Sequence, residues 1–299
     1  MIQILMSTYN GENYLREQLD SLLNQTYENI KILIRDDGSK DGTIQILKEY
    51  SEKYPNKIEC IFDENIGVIK SFFELMKKSD EKCNYFAFCD QDDFWLKEKV
   101  EKAIEQIKEE IPFLYCSNTI LVDENLKILK INNEKKEIDL NNILVENCAT
   151  GCTVVINNKL LKLLKEKKIN LENVLMHDWW ALIVSILFGE VYYDSESYIY
   201  YRQHGNNVVG SESNVLKKYL KKINNFKKKR KKNALKNQIE EMLKSYRNNM
   251  ESITVEKLEE AIDNDSIVKR IKRFKTISLY RNNKFENLIF KFLYLCGWL

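Results

Sequence analysis

The chain has 299 residues, 44% hydrophobic and 31% charged, the make-up of an ordinary globular protein able to bury one sizeable core. Two prolines and nine glycines exclude a long flexible linker, and no apolar run approaches the ~20 residues needed to span a bilayer. The net charge of +2 hides an uneven distribution: Lys217–Lys236 holds eleven basic residues and no acid, which leaves −9 for the remainder.

From the N-terminus, short apolar runs alternate with segments of helical period. Ile2–Ser7 reads as a strand, Asn13–Asn24 as a helix with Leu15, Leu19, Leu22 and Leu23 on one face, and Ile30–Arg35 as a second strand. A helix over Thr43–Tyr54, a strand over Ile58–Phe62 and a helix over Ile69–Lys77 follow. Tyr85–Cys89 reads as a fourth strand and Lys97–Glu109 as a further helix. Such alternation predicts an α/β fold with a mostly parallel, Rossmann-like central sheet flanked by helices. From 113 to 205 the pattern is mixed. Phe113–Cys116, Thr119–Val122 and Cys152–Ile156 resemble strands, Asp178–Phe188 a helix, and Val191–Asp194 with Ser197–Arg202 a closing strand pair. Beyond Ser211 the period is helical, with Leu235, Ile239, Met242, Leu243 and Tyr246 on one face. No internal repeat is visible.

Ligands of parallel sheets bind beyond the carboxyl ends of the strands. Here those ends read Ser7-Thr8-Tyr9-Asn10-Gly11, Asp36-Asp37-Gly38-Ser39 and Asp90-Gln91-Asp92-Asp93. The first two are also ordinary turn signals, and Ser39 or Asp41 suits a helix cap. The third packs three carboxylates into four positions behind an apolar strand and ahead of Phe94-Trp95. Buried acids at that density require a cation, and oxygen-only donors in an Asp-x-Asp spacing suit a hard divalent ion such as Mg2+ or Mn2+. A set of acids decorating a helix N-terminus is the plainer alternative.

The two histidines lie in "MHDWW" (176–180) and "YRQHGNN" (201–207). Single histidines are more often structural than ligating, and Trp179 and Trp180 are residues a core also supplies. Seven scattered cysteines, odd in number, with Cys148 and Cys152 lacking metal-site spacing, read as reduced thiols in a cytosolic protein. Met1 leads straight into a strand-like run, so no secretory leader is expected.

The stretch "MSTYNGENYLREQLDSLLNQTYENIKILIRDDGSKDGT" resembles the opening of family 2 glycosyltransferases, the inverting GT-A enzymes. "DQDDFWLKEKV" and "HDWW…YRQHGNNVVG" are similar to the rhamnosyltransferase-like branch that builds bacterial cell-surface polysaccharides. The resemblance spans roughly residues 1–210. It implies a GT-A domain over 1–210, with a nucleotide-sugar-binding half (1–110) and an acceptor and catalytic half (111–210), followed by a helical basic region over 211–299.

For individual positions, the resemblance implies that Ser7, Thr8, Tyr9, Asp36, Asp37, Asn65, Asp90 and Gln91 border the nucleotide sugar, with Asp37 on the base. Asp92, Asp90 and His204 would hold Mg2+ or Mn2+, and Asp178 would be the catalytic base. Thr150, His177, Trp179 and Trp180 would face the acceptor. Most of the broader family has Glu where this chain has His177, which bears on acceptor geometry. Asp93 is expected to be structural.

The implied reaction moves a sugar, rhamnose from dTDP-rhamnose, onto a hydroxyl of a growing lipid-linked glycan. A UDP-hexose donor is the alternative. A sugar nucleotidyltransferase shares the sheet type but needs a Gly-rich phosphate loop near the N-terminus, where this chain has Ser-Thr-Tyr-Asn-Gly. A binding module without catalysis would not need Asp90, Asp92, Asp178 and His204 together. The basic segment Lys217–Lys236, with Tyr219, Leu220, Ile223 and Phe226 interspersed, and the C-terminus fit an anionic membrane surface, against a plain solvated helical face. No nucleic-acid recognition motif is present. The expected location is cytoplasmic, peripheral on the inner face of the plasma membrane.

Overall fold

A computed structural model describes residues 1–132, 136–204, 234–262, 271 and 279–295. The first part runs β1 (Ile2–Thr8), α1 (Leu15–Leu23), β2 (Ile30–Asp37), α2 (Thr43–Lys53), β3 (Ile58–Asp63), α3 (Val68–Lys78) and β4 (Tyr85–Cys89). Strands β3, β2, β1 and β4 are parallel neighbours, with Ile4 opposite both Ile32 and Ala87. This is the parallel sheet that the alternating pattern predicts.

Because side chains alternate across a strand, each buried strand feeds two cores. Ile2, Ile4 and Met6 of β1 pack with Tyr85, Ala87 and Cys89 of β4 beneath α1 and α2, where Leu15, Leu19, Leu22 and Leu47 face inward. Leu5, Phe86 and Phe88 face the other way, onto Phe72, Leu75 and Met76 of α3.

The second part departs from a mostly parallel sheet. It contains β5 (Phe94–Trp95), α4 (Lys99–Gln106), β6 (Phe113–Val122), β7 (Ile128–Ile131), α5 (Leu140–Ile143), β8 (Val155–Asn157), α6 (Asn158–Glu166), α7 (His177–Phe188) and β9 (Glu190–Arg202). The strand order is β3-β2-β1-β4-β8-β6-β9-β5, with β7 on β6. Strand β8 lies antiparallel between β4 and β6, and β5 and β7 are antiparallel to their partners. The sheet is therefore mixed, parallel only in its first four strands and in the β6–β9 pair.

The expected closing strand pair is instead one strand, β9, parallel to β6. Asp194-Ser195-Glu196 reads as a turn but is absorbed as an irregularity, where Asn118 donates to the Ser195 carbonyl (2.8 Å) and Tyr115 to Asp194 (3.0 Å). Helix α6 starts at Asn157, whose side chain accepts from the Leu160 N–H at 2.9 Å.

Three C-terminal helices follow: α8 (Ala234–Tyr246), α9 (Ser252–Ile262) and α10 (Lys284–Leu295). Met242 and Tyr246 of α8 join the core around α7. Buried Gln238 accepts from the Leu175 N–H, and buried Glu241 accepts from Asn170 and Asn173. Leu258, Phe290, Ile239 and Leu243 close a third core over Leu144 and Val145. Among the described residues, no helix is long and apolar enough to cross a membrane. Residues 217–233 of the basic segment lie outside the described residues.

Candidate active site

The polar ends of β1, β2 and β4 meet on one side of the sheet. Gln91 accepts from the Tyr9 N–H (2.8 Å) and donates to the Tyr9 carbonyl (3.0 Å), joining the end of β4 to that of β1. Gly11 makes room for this: a Cβ there would lie 2.3 Å from Gln91 Oε1. The Asn10 N–H donates to Ser39 and the Asn10 side chain accepts from the Lys40 N–H, joining β1 to β2. Tyr9 and Asn65 remain exposed on this face.

The two aspartates of β2 differ in their duties. Buried Asp36 accepts from Thr8 and from the Ser39 hydroxyl and N–H, so it and Thr8 are engaged in closing the turn. Asp37 accepts from Arg35 at 2.5 Å and from the Ile66 and Gly67 N–H groups at 2.8 and 2.9 Å. Arg35 is itself buried and reaches the Glu64 carbonyl and Ser71, and Ser71 pairs with Ser7 at 2.7 Å. A carboxylate fixed this way keeps its orientation, and its Asn65-Ile66-Gly67 neighbours are fixed with it.

At the end of β4, Asp90 and Asp92 are half-buried and Asp93 is fully buried. Burial first, then Asp92 and Asp178, pushes the Asp90 carboxyl up to about 7. Asp92 Oδ2 meets His204 Nε2 at 2.8 Å. Asp93 takes the Arg202 N–H on one oxygen, at 3.1 Å, and its other oxygen is buried without a hydrogen-bond partner among the described residues. Asp93 is thus both a structural acceptor, as expected, and a member of a second cluster: donor atoms of Asp90, Asp93 and Cys152 lie within 4.8 Å of one another.

That grouping differs from the expected set of Asp90, Asp92 and His204, because His204 is drawn to Asp92 while Asp90 faces Asp93. Burial keeps the Cys152 thiol well above its ordinary value, so it is a poor donor for a hard ion. The nearby Lys99 ammonium is buried over the Trp95 ring at 3.5 Å and makes no hydrogen bond. Crowded carboxylates with an orphan oxygen fit a divalent cation.

Two residues that sequence reasoning passed over hold this turn in place. Arg202, at the end of β9, donates to the Asp92 carbonyl (2.8 Å), to the Glu124 carbonyl and to Glu17. Tyr14 lies 4.5 Å beneath its guanidinium and stacks on His204 at 5.0 Å. The aromatic-rich "FW" and "YYR" segments carried a signal for this pairing, but their partnership is made across more than 100 residues.

Asp178 sits in the first turn of α7, buried, with Oδ1 accepting from the Trp179 N–H at 2.7 Å. Burial raises its carboxyl to about 6, and the nearby Asn147 side chain and Gly151 backbone hold it back from rising further. Asn147 is a second residue the sequence did not single out. Gly151 is needed for the fit: a Cβ there would stand 3.3 Å from Asp178 Oδ2 and 3.5 Å from His177 Nε2.

The expected acceptor residues are mostly interior. His177 stacks on Phe72 at 3.8 Å, both its nitrogens lack partners, and burial lowers it to about 3, so it stays neutral. Trp179 and Trp180 are core residues, Trp179 anchored on the Ile143 carbonyl. Thr150 is half-buried beside Gly151.

Residues 3–168 match the family model for glycosyl transferase family 2. The chain belongs to that family. It is a glycosyltransferase, and its alternating β-α architecture with a C-terminal helical region is of the GT-A kind. It is 33% identical over 222 residues to a dTDP-rhamnosyl transferase of Shigella flexneri, covering 72% of this chain and 76% of the relative. It is 32% identical over 164 residues, 54% of this chain and 62% of the relative, to a UDP-Glc:alpha-D-GlcNAc-diphosphoundecaprenol beta-1,3-glucosyltransferase of Escherichia coli. Among solved structures, residues 1–349 of TarS from S. aureus in complex with UDP-GlcNAc superpose with a TM-score of 0.60 at 20% identity, covering 88% of this chain and 71% of that one, a likeness of fold.

Proposed function

We propose that this glycosyltransferase uses a nucleotide sugar, dTDP-rhamnose, and transfers the sugar with inversion onto a hydroxyl of a lipid-linked glycan at the cytoplasmic face of a bacterial membrane. The observation that carries the reading is a buried carboxylate, Asp178, close enough to the Asp90–Asp92 cluster to raise Asp90, yet held by its own neighbours Asn147 and Trp179. One set of acids can face a diphosphate while a separate acid faces the acceptor.

In this reading the nucleotide lies over Ser7, Thr8, Tyr9 and Asn65, with its base toward Asp37, and Asp90 and Gln91 border the ribose. Asp36 supports the turn beneath. Asp90, Asp92 and His204, with Asp93 behind them, would hold Mg2+ or Mn2+. When bound, the ion neutralises charge on the departing diphosphate. Asp178 accepts the proton of the acceptor hydroxyl as its oxygen bonds the anomeric carbon; the bond from that carbon to the diphosphate breaks, and the nucleoside diphosphate leaves. A base near 6 is ionised at neutral pH but still basic enough to take a proton. Residues 1–210 would form the catalytic domain and 211–299 the basic, membrane-facing region.

The donor follows the relative of higher identity; a UDP-hexose is the second reading, favoured by the name of the Escherichia coli relative. The test is nucleoside diphosphate release from a panel of dTDP- and UDP-sugars with Mg2+ or Mn2+ and a lipid-linked acceptor. Release from dTDP-rhamnose is expected, and silence across the panel would overturn the reading. Asp178→Asn should cut transfer about 10²–10⁴-fold and leave donor affinity nearly unchanged.

A further inference from the structure

Helix α10 has two apolar faces. Phe290 is buried in the third core, and Tyr294 is buried one turn further on. On the opposite side, Phe285, Leu288 and Phe292, at spacings of three and four, are 55%, 65% and 64% exposed, with half-buried Ile289 and Leu295 along the same stripe. An aqueous helix surface does not call for such a stripe.

The sequence that carries it is one-sided in charge. Residues 267–299 contain eight basic residues and a single acid, Glu286, which is turned to Arg281 at 3.0 Å. Lys284 and Lys291 flank the stripe. A second exposed apolar feature, Ile128, Leu129 and Ile131 of β7, is 49–56% exposed. Only five residues separate Ile131 from Glu137, whose N–H donates to Asn282 at 3.1 Å. Ile131 therefore lies within roughly 25 Å of the Asn282 side chain, two residues before α10.

We infer that the exposed face of α10, with β7 beside it, is an insertion surface for an anionic lipid bilayer. The basic residues supply the attraction to acidic headgroups, and the aromatic and aliphatic stripe enters the headgroup–acyl boundary.

The helix is also seated next to the candidate base. Asn282 donates its backbone N–H to Glu146 (2.8 Å) and its side-chain amide to Asn142 (3.1 Å) and the Cys148 sulfur (3.4 Å). The residue before Cys148 is Asn147, whose side chain lies near Asp178. A bilayer holding α10 would thus bring a lipid-linked acceptor to the Asp178 side of the site. That last step rests on the proposed function; the lipid docking gives the membrane-facing role proposed for 211–299 its surface and is read without donor or acceptor.

The test is co-sedimentation of the full chain, without donor or acceptor, with phosphatidylcholine vesicles and with mixed phosphatidylcholine–phosphatidylglycerol vesicles. The parent should bind the mixed vesicles and release at high salt. The charge-neutral pair Leu288→Gln and Phe292→Gln should weaken binding about tenfold or more, and Ile128→Gln with Ile131→Gln should weaken it as well. Both pairs should keep the parental melting temperature and sugar-transfer rate on a soluble acceptor. No parental binding, or full binding by the α10 pair, would overturn the inference. So would light scattering that shows a parental dimer turned monomeric by the α10 pair, because a second copy would then cover the stripe.

Discussion

At the residue scale, the proposed base Asp178 is expected to set the pH behaviour. Its carboxyl is raised from 3.8 to about 6, chiefly by burial. The base must be ionised, so kcat/KM should climb with pH through about 6. The nearby Asn147 side chain favours the ionised form, so Asn147→Ala should move that limb upward by about one unit, visible in a pH–rate profile with donor KM little changed. The linkage to stability has a defined sign. The native state holds the Asp178 proton more tightly than the unfolded chain, so this group's contribution falls as pH rises from 3.8 to about 6 and is flat outside that window. Asp178→Asn should remove the decline without lowering stability.

At the element scale, the β4–β5 turn is held from outside its own sequence. Arg202, buried, ties the Asp92 carbonyl, Glu124 and Glu17 together and packs over Tyr14. Replacing it with methionine keeps the stem but orphans those acceptors, at a cost of about 2–4 kcal/mol. Chemical denaturation should read that loss, and metal-dependent donor binding should weaken with it because Asp92 loses its brace. The acids of this turn were legible as a cluster, since Asp-x-Asp after an apolar strand is a local pattern. Their bracing was not, because Arg202 sits 110 positions away and reads locally as the polar end of a strand. Asn147 was hidden for a different reason: its neighbours Glu146, Cys148 and Ala149 carry no periodicity, and only folding brings it to Asp178.

At the scale of the whole molecule, the first 90 residues follow their pattern almost strand for strand, because parallel βα units are local and regular. The second half resists such reading. Strand β8 reverses direction between β4 and β6 after three residues, β5 has two, and β9 runs through a polar interruption that resembles a turn. Pairing that is non-local and short leaves little trace in periodicity. The C-terminal helices were visible as helices but not as core. Met242, Tyr246, Gln238 and Glu241 are built into the part of the fold that carries α7. Truncation after His204 should therefore lower the melting temperature by about 10 °C or more or yield insoluble protein, as a thermal scan would show.

Gln91 has a consequence beyond the joining of two turns. By both accepting from and donating to the backbone of Tyr9, its amide behaves as one more rung on the β1–β4 ladder. The sheet's order thereby continues into residues that carry no strand of their own. A nucleotide settling there, as proposed, would meet a floor whose conformational freedom was already surrendered at folding, so little of its binding free energy would be spent on ordering the loops it touches.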